Sequence, residues 1–511
     1  MAFNFALSDM RLLVSLLLLG ATVDEPYWSS PQSARLLEEG LDALFCYHLS
    51  QATSKFDSLI LLEPHRPEGY ALKSTCAFWK FLLSEKPADY DRLVQLSDLA
   101  HARIEAYLEA HKHDRRSQAL ATYFLAEHHL QLGAANARRH SFATAAIHFH
   151  KAKGLYKDAL ALDPTFYDAA KGVGFIEFFS SLIPDSYKWL ASVFGYEGTR
   201  EEGLQKLKLA RDKGIYTRRE SAYYVAMLNY LFLNRYAEAE AELLTLAHRY
   251  PNSLALNYTL GSFYFKLKQP TLSEQYLRRA IDNGEHDNEF SAYALFRLAE
   301  LQFRLNQFAE AKANYLRYLS ILDLSLYHAQ TYYKLGLCAE LLGNRKEALL
   351  YYKQAVSSTD NPDELHARRK AKEYLARPLS TSETQLLLAR NHFDSGNYEA
   401  ALSLLRPLLQ QEHSLKLDER AELYYRLARV YDETDRLTEA IAFYRKCCAV
   451  QAERERHFAP QSRLHLGRLY ARQGEKAKAI EELEKAARYV SFDFEKELRR
   501  EVKLELAKLE P

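Results

Sequence analysis

The chain has 511 residues, a net charge of +1 and 26% charged residues, which excludes a polybasic nucleic-acid binder and an acidic solvating tail. Hydrophobic residues make up 48%, ample for a continuous core, and only 18 Gly and 14 Pro argue against a β-rich fold with many tight turns. The five Cys (Cys46, Cys76, Cys338, Cys447 and Cys448) show neither a CxxC nor a Cys/His zinc spacing. An odd count with an adjacent pair is not a disulfide framework, and Cys447 sits where a small buried residue is wanted.

At the N-terminus Arg11 precedes the apolar run Leu12–Leu19, followed by the small residues Gly20 and Ala21. Residues 1–21 therefore read as a secretory signal cut after Ala21, or as an apolar anchor; the competing reading is a capping helix packed on the first repeat. The run is shorter than the roughly 20 residues needed to cross a bilayer. A cleaved signal implies the periplasm or cell envelope, and an uncleaved one the cytoplasm, with peripheral membrane association through the N-terminus.

Further along, one pattern of about 34 residues can be laid on the chain eight times: large, Leu, Gly or Ala, aromatic, then a turn Gly or Asn, Ala, and an aromatic or Leu. The first copy is 33–66, with Leu36, Gly40, Ala52, Phe56 and Pro64. Across 67–219 the register is broken, but helices are expected at 68–84, 89–111, 115–132, 141–162, 166–182 and 201–213, with 115–162 a repeat of lengthened helices. The regular run follows at 220–253, 254–287, 292–325, 329–362, 382–415, 421–454 and 460–493. Its clearest copy reads Tyr332, Leu335, Gly336, Ala339, Gly343, Ala348, Tyr352, Ala355. Residues 494–511, with Leu498, Val502, Leu506 and Leu509, read as a capping helix. The softest boundaries lie near 214–219 and 376–381. Many of the 35 Tyr fall at the aromatic positions, where a ring fills the gap between helices and its hydroxyl is expected to reach water or a carbonyl.

This spacing resembles the tetratricopeptide repeat. The fold expected is all-α: a right-handed superhelix, or α-solenoid, with an irregular, long-helix N-terminal half (33–219), a regular array (220–493) and a cap (494–511). A second resemblance lies at residues 181–210. Ser181-Leu182-Ile183-Pro184, Lys188, Phe194-Gly195, Gly198, Arg200 and Gly203-Leu204 followed by Ala210 resemble the centre of the Iml-type, or inclusion-body-clearance, tetratricopeptide family. That resemblance implies a non-enzymatic intracellular adaptor and assigns no catalytic residue.

Eight of the 18 His (His101, His111, His113, His128, His129, His140, His148 and His150) crowd the irregular block. No HExxH is present, and side chains two apart on a helix diverge, so solvated faces are expected rather than a metal site. Gly172-Val173-Gly174 lacks the third Gly and the preceding strand of a dinucleotide fingerprint and reads as close helix packing. Asn257-Tyr258-Thr259 is formally a glycosylation acceptor, but inside a predicted helix it is discounted. No phosphate loop, nucleophile elbow or carboxylate pair stands out, so neither cofactor nor metal is expected. An enzyme or metal-binding protein using the 67–219 block remains the outlying alternative.

The informative surface is the concave one, lined by the first helix of each repeat. Its aromatic positions hold Tyr224, Tyr258, Phe265, Phe296, Phe303, Tyr333, Phe393 and Tyr425, edged by Lys266, Arg304, Arg390 and Arg429. Rigid rings beside guanidinium groups suit a partner segment of mixed apolar and acidic character. Chaperone-tail-binding relatives carry Lys and Asn where this chain has rings, so that activity is not expected. The function read from the sequence is a protein-protein interaction scaffold for an unidentified protein or peptide segment, with no role in nucleic-acid binding.

Overall fold

The computed structural model describes residues 30–180, 198–282, 289–321, 327–358, 364–450 and 457–509. The signal or anchor at 1–21 and most of the Iml-type signature (181–197) lie outside them. Every regular element among the described residues is a helix. In chain order these are α1 (Pro31–Phe45), α2 (Leu49–Leu62), α3 (Glu68–Ser84), α4 (Pro87–Ala110), α5 (Arg115–Arg138), α6 (Phe142–Leu162), α7 (Asp168–Ser180) and α8 (Arg200–Lys213). Then follow α9 (Arg218–Leu228), prolonged by a π turn, α10 (Tyr236–Arg249), α11 (Leu254–Lys266), α12 (Pro270–Asp282), α13 (Glu289–Arg304), α14 (Phe308–Ile321), α15 (His328–Leu341) and α16 (Arg345–Ser357). The last are α17 (Leu365–Ala376), α18 (Thr381–Asp394), α19 (Tyr398–Gln410), α20 (Leu417–Glu433), α21 (Leu437–Ala449), α22 (Phe458–Arg472), α23 (Lys476–Ala487) and α24 (Glu495–Leu509).

The helices pair as antiparallel hairpins, and two local devices set the pairing. The first is a left-handed residue in the turn. Tyr47, His140, Asn234, Lys268, Asn306 and Asp435 have φ between 54° and 63°, and Gly343, Gly396 and Gly474 between 76° and 83°. Each turns one hairpin, in the conformation that ends helices most cheaply with Gly or Asn. The second is a small residue seven positions before that turn, on which the second helix lays a large side chain. A Cβ at Gly40 would strike Phe56, at Gly133 Phe149, at Gly261 Leu277, at Gly336 Tyr352 and at Gly467 Leu483. The large residue comes sixteen positions after the glycine every time.

These devices extend into the block where the sequence register is broken. The pair α5–α6 keeps both, Gly133 against Phe149 and the left-handed His140, although its helices are 24 and 21 residues long. The pair α3–α4 turns at Glu85, φ 52°. What departs from the repeat there is helix length. The glycines of Gly172-Val173-Gly174 serve close packing: Gly172 lies against the Tyr156 ring, and Gly174 meets the backbone of Gly203 on α8. The helix α17 is unpaired, packs on α15 and α16, and was not foreseen.

The chain divides into two compact units, one up to Leu260 with Arg279–Ser291, the other Gly261–Arg278 with Ala292 onward. In each, the core lies between the two helices of a hairpin and between hairpins. In the C-terminal unit one cluster joins Leu386, Leu405, Leu427, Tyr444 and Leu466, and a second seats the cap α24 through Leu498 and Val502 on Leu464 and Leu483. Cys447 is buried, its thiol donating to the Ala421 carbonyl at 3.4 Å. Asn257 of the formal glycosylation acceptor is buried in α11, donating to the Pro251 and Ser253 carbonyls. Among the described residues no helix is long and apolar enough to cross a membrane.

Because the Gly336 position is filled by the Tyr352 ring, Gly336→Leu forces α15 away from α16. A loss of about 1–3 kcal/mol is expected from overpacking, read as a lower midpoint in urea denaturation followed by circular dichroism.

Candidate functional site

The N-terminal unit holds a buried charge network. Lys171 on α7 lies 2.7 Å from Glu127 Oε1 on α5 and 3.2 Å from Glu220 Oε2 on α9, and the Tyr156 hydroxyl donates to Glu127 at 2.7 Å. The three charged side chains are between 0% and 2% exposed, so no substrate reaches them. Burial pushes the Glu220 carboxyl well up, with Lys171 opposing. Beside them, Asp168 accepts from the backbone N–H groups of Ile215, Tyr216 and Thr217 at 2.7–2.9 Å, fixing the entry to α9. Tyr224 and Tyr258 are buried in this unit, the Tyr224 ring 5.1 Å from Phe175. The network escaped the sequence reading; its one visible trace is a lysine inside the small, apolar run Ala169-Ala170-Lys171-Gly172-Val173.

Four of the crowded histidines meet across three helices. His101 on α4, His128 and His129 on α5 and His148 on α6 have successive ring centroids 5.0–5.2 Å apart. His129 Nδ1 lies 3.0 Å from His148 Nδ1, and His128 Nδ1 is 2.8 Å from Ser97 Oγ. The spacing along the sequence gave no sign of this, since the rings come from different helices. Burial pushes His128 down to about 3 and His129 down to about 4, and each ring's neighbours add to it. The cluster is thus a ring-on-ring filler in which His128 and His129 are neutral. Among the described residues no group of three or more His, Cys, Asp or Glu side chains is placed to hold a metal.

In the C-terminal unit the rings expected to line the concave face are largely buried. Phe265, Phe296 and Phe393 are 5% exposed, Tyr333 9% and Phe303 0%. Phe296 stacks on Tyr327 at 4.8 Å and meets Tyr318 at 5.2 Å; Tyr333 lies parallel to Tyr374 at 6.4 Å. Tyr425, half-buried, packs on Phe458 at 5.2 Å. The cations lie over these rings. Arg304 stands 3.6 Å from the centroid of Phe265, Lys334 4.0 Å from that of Phe303, Lys268 3.9 Å and Arg429 5.2 Å from that of Phe393. Lys334 and Lys268 were missed by the sequence reading, which followed the Arg positions. Lys266 is exposed.

The cations differ in how they are satisfied. Arg429 is held by Glu433 at 3.0 Å and His465 at 2.7 Å, and Lys268 by Glu433 at 3.3 Å. Lys334 has Glu300 at 3.6 Å, a carboxylate that also accepts from the Tyr315 hydroxyl. Arg304 and Arg390 make neither a hydrogen bond nor an ion pair with the described residues; at longer range Asp394, Glu300, Arg297 and Tyr315 face Arg304, and Glu422, Tyr333, Asp394 and Tyr374 face Arg390. All three of Arg304, Lys334 and Arg390 keep an accessible part.

Family models for tetratricopeptide repeats match residues 386–452 and 460–489, and the Iml2/Tetratricopeptide repeat protein 39 model matches residues 169–377. These segments carry tetratricopeptide repeats. The Iml-type resemblance extends well beyond the signature seen in the sequence, over less than half of the chain. No curated protein matches it. Among solved structures it is similar to Pseudomonas aeruginosa pilF, at 15% identity over 50% of this chain and 98% of that one, TM-score 0.36. It is also similar to PilW, a widely conserved type IV pilus biogenesis factor, at 16% identity over 58% and 96%, TM-score 0.25. The TPR2AB domain of yeast Sti1 in its pHSP90 complex follows at 15% identity over 50% and 98%, TM-score 0.21.

Two outcomes are expected. Since His128 and His129 stay neutral in the fold far below the usual imidazole value of 6.5, the unfolded chain takes up protons first as pH falls. Stability should therefore decline from pH 6.5 towards pH 3–4, and His129→Gln should flatten that decline in denaturation curves taken across the range. Phe296→Ala empties a ring-lined site and should cost about 3–5 kcal/mol, measured in urea; a stability equal to the parent's would place this ring at the surface.

Proposed function

We propose that this protein is a non-enzymatic interaction scaffold whose C-terminal unit holds a segment of a partner protein against the first helices of its repeats. The observation that carries the reading is the row of cations on those helices. Arg304 and Arg390 are near enough to Lys334 to act on its charge, and each of the three has an accessible part and lacks full satisfaction by the protein itself. A core needs no such groups, because an enclosed guanidinium without a hydrogen bond costs free energy. The rings below act as the rigid bed on which the cations stand, so that Tyr333, Phe303, Phe265 and Phe393 contribute through position more than through contact.

A second reading concerns where this happens. The Iml2/Tetratricopeptide repeat protein 39 match over 169–377 favours an intracellular adaptor, the apolar residues 12–21 docking on a membrane surface. The bacterial cell-envelope reading rests on that apolar run alone. Mass analysis of the purified mature chain separates them, since a chain beginning after Ala21 supports secretion and an intact N-terminus supports docking.

The scaffold reading is tested by placing a photo-crosslinking residue at position 390 of the full chain in cells, with position 350 on the exposed outer side as control. Defined partner peptides captured at 390 and not at 350 are expected. Equal or no capture at both positions is the result that defeats it.

A further inference from the structure

We infer that the occupant of this face is a carboxylate-rich protein segment, whose acidic side chains complete Arg304, Lys334 and Arg390. The inference rests on the scaffold reading above and adds the chemistry of the partner.

Three features of the C-terminal unit lead to it. The first is charge. Arg304 on α13, Lys334 on α15 and Arg390 on α18 come from three successive first helices, and the carboxylates that face them are Glu300, Asp394 and Glu422. Those carboxylates are already engaged or shared. Glu300 takes the Tyr315 hydroxyl and Lys334, Asp394 faces both arginines, and Glu422 is gripped by Arg426 at 3.0 Å.

The second feature is donor capacity. A guanidinium carries five N–H donors in a planar fork. Among the described residues Arg304 and Arg390 donate none of theirs to protein, while Arg377, Arg429 and Arg468 of the same unit each form at least one ion pair with a carboxylate. Two unspent forks in an enclosed setting fit planar bidentate acceptors, which side-chain carboxylates are.

The third is the repulsion that Lys334 meets. Burial pushes the Lys334 ammonium down, and Arg390 and Arg304 push the same way against the pull of Glu300. Burial likewise lowers Arg304. Lys334 is therefore opposed by its neighbours until a negative charge joins them, whereas at Arg390 burial is outweighed by Glu422, Tyr333 and Asp394, which hold the guanidinium raised. The ring faces at Phe265 and Phe303 are already taken by Arg304 and Lys334, so the contact offered to the partner is polar and planar. An acidic segment steered by this field binds in a salt-dependent manner.

The test uses the full chain and fluorescein-labelled peptides of one length: a Glu/Asp-rich peptide with two aromatic residues, its Gln/Asn counterpart and its Lys/Arg counterpart. Fluorescence anisotropy is read at rising salt. The acidic peptide should bind best, and its affinity should fall steadily with salt. Arg304→Gln with Arg390→Gln should weaken it by about tenfold, the usual loss when a hot-spot charge is removed. Because neither arginine is hydrogen-bonded to protein, the double variant should melt at or above the parent temperature. Lys334→Gln, singly, serves as the second variant. Binding of the acidic peptide no tighter than its neutral or basic counterparts overturns the inference, as does salt-independent binding or a well-folded double variant that binds unchanged. A lower melting temperature in the double variant also overturns it, because the arginines would then be structural. If the basic or neutral peptide binds instead, the scaffold reading survives and only the acidic partner falls. If no peptide binds and position 390 captures nothing in cells, both fall.

Discussion

The contact between a glycine and a ring or leucine sixteen residues later is the constraint on which the rest depends. It brings two helix backbones close enough for a large side chain to fill the space between them. Tyrosine covers Gly336 (Tyr352) and Gly172 (Tyr156), and the hydroxyl of any buried tyrosine needs an acceptor. The structure supplies carboxylates. Tyr352 donates to Glu340 and Tyr444 to Asp432, each acceptor lying twelve residues earlier on the first helix of the hairpin; Tyr156 donates to Glu127 and Tyr315 to Glu300. This replaces the water or carbonyl expected from the sequence. A buried carboxylate in turn needs a cation. Glu340 takes Arg345, Asp432 takes Arg472, Glu127 takes Lys171 and Glu300 takes Lys334. At Gly336 and Gly172 the ion pairs Glu340–Arg345 and Glu127–Lys171 are thus consequences of helix packing, three steps removed from a missing side chain.

That chain of causes separates packing charges from the remainder. Lys171 belongs to it completely: sealed, doubly paired and joined to a tyrosine that covers Gly172. The histidine cluster is a variant of the same filling, four rings in place of tyrosines across α4, α5 and α6. Arg304 and Arg390 answer to no buried carboxylate at bonding distance, so the packing logic does not account for them. Residues that the fold tolerates without needing are where a binding function is most economically sought.

The hairpin pattern was legible because it is local. Glycine, turn residue and large side chain recur at fixed offsets, so the succession of helix hairpins could be read directly, as could the cap at α24 with Leu498 and Val502. The lengthened pair α5–α6 was legible for the same reason. Helix α17 was not, because a single helix with buried Ala367, Ala371 and Tyr374 lacks the glycine and turn that mark a hairpin. Nor was the depth of Phe296 and Phe303. A repeat position tells which helix face a residue occupies, while its burial is set by side chains from neighbouring helices, here Tyr318 and Tyr327 for Phe296 and Lys334 for Phe303.

The unforeseen contacts also change how the C-terminal unit holds together. A simple solenoid is stabilised by nearest neighbours alone. Here Asn391 on α18 donates to the Phe303 carbonyl at the end of α13, and Lys268 in the turn after α11 reaches Glu433 at the end of α20. On another side His366 and Arg369 of α17 hold Asp493 ahead of α24, keeping its carboxyl well below the usual range. These pairs are separated by 88 to 165 positions in sequence, so the loss of one hairpin removes support from several others. A repeat array cross-tied in this way should unfold as one body rather than fray from an end. Its inner cations are then held at fixed spacing, which is what recognition of a partner's charges by several groups at once requires.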